Sequence, residues 1–194
     1  MRQTSFLYVE KNPQHITIKC NNRENMFYED SDYQYCLTQL KKAVDQFRCR
    51  LHAFVLTPEN IQVLLSSQNN SCVVKAVELL EQEYMQHFNA TYRRIHRTLD
   101  LDYSMVPVDE EQHLLKFHKY IEMVPVRVRL VDHPADYPWS SFTGNAMGEN
   151  TGLLCPHQKY MALGRDDHER QSRYRDLFTG FYPSDTRQYF SSTL

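Results

Sequence analysis

No glycine precedes Gly144 in this 194-residue chain; all five glycines fall in its last third. Glycine is the residue that reaches φ > 0 without steric cost. Every turn in the first 143 residues is therefore built by residues that carry a Cβ. Any left-handed position there is strained.

The apolar pattern fits that limit. Residues 15–20 (HITIKC) alternate as a strand does, and Asn21, Asn22 and Arg23 follow as a polar turn. Ser31 with Gln34 reads as a capping box. It opens a helix on which Tyr33, Cys36, Leu37, Leu40, Val44 and Phe47 keep helical spacing to about Arg48. Residues 50–57 and 61–66 read as two strands joined by Pro58, Glu59 and Asn60. Asn70 or Ser71 caps a second helix running to about Arg94, with Val73, Val77, Leu80, Tyr84 and Phe88 inward. Residues 103–108 form a weaker strand, which Pro107 assigns to a sheet edge. Asp109 caps a third helix, with Glu110 and Glu111 in its first turn. That helix is expected to stop near Pro125.

The order β-α-β-β-α-β-α predicts an α+β fold: a ferredoxin-like, four-stranded antiparallel sheet with helices packed on it. Beyond residue 130 the chain becomes loop-rich, with Pro134, Pro138 and the single tryptophan, Trp139. Two short helices are expected near 158–163 and 166–179, the second capped by Asp166 with Glu169 and stopped by Gly180. The expected organisation is a domain over 1–130 and a C-terminal loop and helical extension over 131–194, packed on it.

Composition narrows the function classes. No apolar run approaches a membrane span, and the N-terminus lacks a signal-peptide pattern. A cytoplasmic location and no membrane partner are expected. The five cysteines include no C-x-x-C pair, so they are expected reduced and mostly buried. The net charge of −2 is not that of a dedicated nucleic-acid binder. The densest basic-aromatic stretch is Tyr92, Arg93, Arg94, His96 and Arg97, which Lys119, Arg127 and Arg129 could extend. It suits phosphates and stacked bases; a solvated helix end is the equal alternative. His52, alternating with apolar neighbours, reads as a hydrogen-bonded core histidine.

Several segments, in order, resemble the REP-associated and related single-tyrosine transposases. They are His15–Arg23 (HITIKCNNR), Leu51–Pro58 (LHAFVLTP), Tyr120–Val126 (YIEMVPV), Asp136–Phe142 (DYPWSSF), His157–Gly164 (HQKYMALG) and Arg170–Arg175 (RQSRYR). The fourth is the most specific. The resemblance implies a tyrosine on the last core helix that attacks a DNA phosphate. It also implies a divalent metal held by a His-hydrophobic-His strand pair and an amide four residues after the tyrosine. Residues i and i+2 of a strand share a face, and i and i+4 of a helix stack, so such groups can converge.

Carried over residue by residue, the tyrosine is Tyr120. The two histidine positions are Asn60 and Gln62, around Ile61, and the amide position is Val124. All three family ligands are replaced. The family's W-x-G-R cluster corresponds to Thr98–Ser104, which carries Asp100 and Asp102 instead. Two family glycines are replaced by Cys20 and Arg129. The chain therefore reads as a degenerate member that binds single-stranded or hairpin DNA without cutting it and needs no cofactor. One alternative is an active nuclease with Mg²⁺ or Mn²⁺ held in a rebuilt site of Asn60, Gln62 and Glu59. Another is a protein-interaction module or decayed product with no DNA role. The resemblance leaves monomer or dimer open.

Overall fold

The computed structural model describes residues 13–21, 24–92, 99–108 and 113–179. Four strands form one antiparallel sheet: β1 (Gln14–Cys20), β2 (Arg50–Thr57), β3 (Asn60–Ser66) and β4 (Leu101–Pro107), in the spatial order β2-β3-β1-β4. This is the split β-α-β arrangement that the element order predicts. β4 lies at an edge, so Pro107 costs no inner ladder bond. β4 starts at Leu101, two residues before its expected start. Asp102 and Ser104 alternate outward there, which an edge strand tolerates.

Helices α1 (Asp30–Gln46) and α2 (Asn70–Tyr92) pack on one face of the sheet. Ile16, Ile18, Ile61, Val63 and Leu65 point into this layer and meet Leu40, Val44, Val77, Leu80 and Phe88. Burying each such side chain contributes roughly 1.5–3 kcal/mol. α1 begins before the expected Ser31 cap: Glu29 is the N-cap, and its backbone N–H donates to the Asp32 carboxylate at 3.1 Å. The Asp32 carboxylate wins because it also accepts from the Tyr28 N–H and the Tyr92 hydroxyl. For α2, the capping side chain is Asn69, which accepts from the Ser71 N–H.

Helix α3 (Leu114–Glu122) covers part of the opposite face, against Ala53, Val55 and Leu64. The helix stops just before Pro125, as expected. The chain breaks at Met123 and a one-turn helix, α4 (Val124–Arg127), starts with Pro125 in its first turn, where a missing N–H is harmless. The expected Asp109 cap lies outside the described residues.

The glycine-free stretch leaves its mark at two helix ends. Arg48 (φ 52°) follows α1 and Arg129 (φ 61°) follows α4, both in the left-handed region. The Cys49 N–H donates to the Val44 carbonyl and the Arg48 N–H to the Asp45 carbonyl. Leu130 to Pro125 and Arg129 to Val126 repeat the pattern. Both ends are Schellman motifs with arginine where glycine is usual.

After residue 130 a single 3-10 turn (Pro134–Asp136) leads to Trp139–Ser141, which run along β2. Leu56 N–H donates to the Trp139 carbonyl and Ser141 N–H to the Phe54 carbonyl. This covers an otherwise open sheet edge. Helices α5 (Phe142–Met147), α6 (Gln158–Met161) and α7 (Asp167–Asp176) follow. α5 falls where a loop was expected, and Gly148 at φ 77° ends it. Asp166 caps α7 by accepting from the Glu169 N–H at 2.8 Å, as the sequence predicts; Gly180 lies outside the described residues. No helix among the described residues is long and apolar enough to cross a membrane.

Candidate functional site

Strand parity sets the site. Ile16, Ile18, Ile61 and Val63 face α1 and α2, so their neighbours His15, Thr17, Asn60 and Gln62 face the other way. Pairing aligns Thr17 with Gln62 and Lys19 with Asn60. β3 opens at Asn60 because Pro58 and Glu59 alone make the hairpin turn, and Asn60 pairs with Thr57. Glu59 stands exposed at the tip of that turn.

Across this face runs a chain of neutral hydrogen bonds. Gln62 Nε2 donates to Asn60 Oδ1 at 3.2 Å, and Gln62 Oε1 lies 3.1 Å from His15 Nε2. With that amide orientation, His15 Nε2 is the donor. Burial pushes the His15 imidazole down to about 4, against the opposing effect of Gln62, and nearby Arg127 lowers it further. His15 is thus neutral at neutral pH. Its ring packs on Phe117 at 5.4 Å and edge-on to Tyr120 at 5.7 Å.

Tyr120, on α3, is half-buried. It lies between the His15 ring and Arg127, whose guanidinium carbon sits 4.0 Å over the Tyr120 ring. Val124 is buried among Ala53, Val55, Leu64 and Ile121. Tyr120, Gln62 and Arg127 therefore gather around His15, with Asn60 joined through Gln62. Val124 belongs to the aliphatic layer beneath. Lys119 is half-buried on α3.

His15 is the residue that sequence reasoning missed. Its motif was legible, but its role was not: a lone histidine opening a strand carries no spacing signal. The available signal was parity, since His15 alternates with Ile16 and Ile18 and shares its face with Thr17. His52 has the place expected of it, in the core. Its Nδ1 lies 2.7 Å from the Cys155 carbonyl and its Nε2 lies 2.8 Å from Ser66 Oγ. Burial lowers it to about 4.

Of the expected basic patch, Arg93, Arg94 and Arg97 lie outside the described residues. Tyr92 donates its hydroxyl to Asp32 at 2.7 Å and packs its ring at a tilt against Phe88 and Tyr28. In the segment that replaces the family's W-x-G-R cluster, Asp100 accepts from Asn21 Nδ2, and Asp102 is exposed opposite Lys19. Glu81 is pushed up to about 7 by burial first, then by Asp102 and Glu78. This edge of the sheet is acidic.

A split β-α-β sheet with a tyrosine on the helix over its free face defines the class: the single-tyrosine transposase fold. The family model described as "Transposase IS200 like" matches residues 8–123, and the chain belongs to that family. Among solved structures, a REP-associated tyrosine transposase bound to a REP hairpin matches with a TM-score of 0.57 at 16% identity. The match covers 80% of this chain and 89% of that one. A putative transposase from Deinococcus radiodurans matches at 14% identity and a TM-score of 0.44, covering 63% of this chain and 95% of that one. No curated protein sequence matches the chain.

Proposed function

We propose that this chain is a transposase-family protein that binds single-stranded or hairpin DNA and does not cut it. The observation that carries the reading is the hydrogen-bonded row His15–Gln62–Asn60, in which Gln62 and Asn60 stand where the resemblance puts the family's two histidine ligands. The donor set does not fit a divalent cation. One carbonyl oxygen, Gln62 Oε1, is engaged by His15, and the other, Asn60 Oδ1, by Gln62. Neither carries charge, and hard cations favour carboxylates. Among the described residues, no group of three or more His, Cys, Asp or Glu side chains could hold an ion. Val124 offers no donor atom.

Without that ion, Tyr120 lacks the usual means of attacking an anionic phosphodiester. A phenol titrates near pH 10 and is a weak nucleophile at neutral pH. Positioning and charge neutralisation carry most of phosphoryl transfer. His15 is neutral and donates its Nε2 proton to Gln62, so it presents no free lone pair there to act as a base. DNA binding is supported by the family and by the hairpin held in the REP-associated transposase of similar fold.

The test has two arms. In a gel shift with hairpin DNA at two salt concentrations, binding that weakens with salt supports the reading, and no binding at either supports a role without DNA. In the second arm, wild type, Tyr120→Phe and the triple change Asn60→His, Gln62→His, Val124→Asn are incubated with single-stranded DNA and Mg²⁺ or Mn²⁺. Covalent adducts are sought on a denaturing gel. None is expected from wild type. An adduct there that vanishes in Tyr120→Phe would establish a rebuilt metal site and an active nuclease.

A further inference from the structure

Among the described residues, Arg127 is a cation without a carboxylate partner. Its half-buried guanidinium stacks on Tyr120. Arg170 and Arg173, by contrast, pair with Asp167 and Glu169. Taking a guanidinium partly out of water without a partner is unfavourable. The face of Tyr120 offsets part of that cost. The nearby polar groups, His15 and the amides beyond it, are neutral hydrogen-bonding groups. Among the described residues, a cation with no carboxylate partner beside neutral polar groups suits an anion and repels a metal ion. The planar fork of arginine matches phosphate oxygens. β1 carries this face onward through Thr17 and Lys19; Asp102 stands opposite Lys19, which leaves Arg127 the stronger anion site.

We infer that Arg127 binds one backbone phosphate of single-stranded DNA beside Tyr120, and that it does so without a divalent metal. This rests on the DNA-binding reading and adds the group that holds the strand and the charge that replaces the ion.

The experiment compares wild type, Arg127→Gln and Arg127→Lys, each first shown by thermal melting to be folded. Binding of a hairpin oligonucleotide with a single-stranded flank is measured across a salt series in EDTA. Separately, inorganic phosphate is titrated into the ¹⁵N-labelled full chain while the arginine Nε–Hε signals are followed. Arg127→Lys identifies the Arg127 signal by its loss. Wild type is expected to bind in EDTA. Arg127→Gln should lower the log–log salt slope by about 0.7–1, the loss of one phosphate contact. Arg127→Lys should fall between, and phosphate should move the Arg127 signal saturably. DNA binding with unchanged affinity and slope in Arg127→Gln would overturn the inference and leave the DNA reading standing. Binding that requires a divalent ion would overturn the metal-free part. A saturable phosphate effect without DNA binding would overturn the DNA reading and leave a phosphate site for another ligand. If Arg127→Gln does not fold, Arg127→Lys and the wild-type phosphate titration decide.

Discussion

The Tyr174 hydroxyl donates a 2.7 Å hydrogen bond to Glu122, tying α7 to the end of the helix that carries Tyr120. The other Glu122 oxygen accepts from Ser141 Oγ at 2.5 Å and Asn145 Nδ2 at 2.8 Å. The carboxyl group is fully buried, and burial pushes it up to about 7 against the effect of these three donors.

Removing any one donor leaves a buried acceptor underused, which costs about 1–3 kcal/mol. Tyr174→Phe and Ser141→Ala are each expected to lower stability by that amount, read from urea denaturation midpoints. The two costs should be similar, because each hydroxyl has a second buried partner: the Phe54 N–H for Ser141 and His118 Nδ1 for Tyr174. A Tyr174→Phe variant as stable as wild type would mean that this hydrogen bond contributes nothing.

Acid should destabilise the fold. Burial lowers His15 and His52 to about 4 and His118 to about 3, from 6.5. Their folded values lie below the unfolded one, so their contribution is present above pH 6.5 and is lost as pH falls through the folded values. Glu122 works in the opposite sense: its folded value is raised, and its contribution is lost as pH rises through about 7. Glu81, also raised to about 7, works in the same sense as Glu122. Three histidines against two carboxyls leave a net uptake of up to one proton on unfolding between pH 6.5 and 4.5, a slope of at most roughly 1.4 kcal/mol per pH unit. A urea midpoint that stays level from pH 6.5 to 4.5 would contradict it.

The left-handed arginines invite substitution. Arg48→Gly and Arg129→Gly relieve a Cβ clash worth about 1–2 kcal/mol, offset in part by the greater freedom of glycine when unfolded. A net gain of about 0.5–1 kcal/mol is expected at each position. Arg129→Val should lose stability, since a β-branched residue tolerates positive φ less well. Differential scanning calorimetry on the three variants decides the order.

If the expected basic stretch takes part in DNA binding, it does so through charge. Changing Arg93, Arg94 and Arg97 together to alanine should weaken binding to all sequences alike and flatten its salt dependence. Unchanged affinity in a gel shift would identify the stretch as a solvated helix end.

Much of the fold was legible in the sequence because apolar alternation and helical spacing are local. β2 has the bounds its sequence suggests, and β1 and β3 each begin one residue early. The misses occur where a tertiary partner overrides a local signal. Asp32 moves the start of α1 because it also serves Tyr28 and Tyr92. Pro125 opens an extra turn just beyond the expected stop. Of the candidate site, Tyr120, Arg127 and the substitutions at Asn60, Gln62 and Val124 were legible. That Gln62 meets His15, 47 residues away, follows from strand register, which no short window contains.

The Glu122 network also has a consequence for how the chain is made. The carboxylate leaves the ribosome 52 residues before Tyr174, its last donor. At about 5–20 residues per second that is an interval of several seconds. During it, burying the final turn of the Tyr120 helix leaves one Glu122 oxygen without its donor. Ser141 and Asn145, the donors to the other oxygen, follow Glu122 by 19 and 23 residues, so the Tyr174 bond is the last of the three that synthesis makes possible.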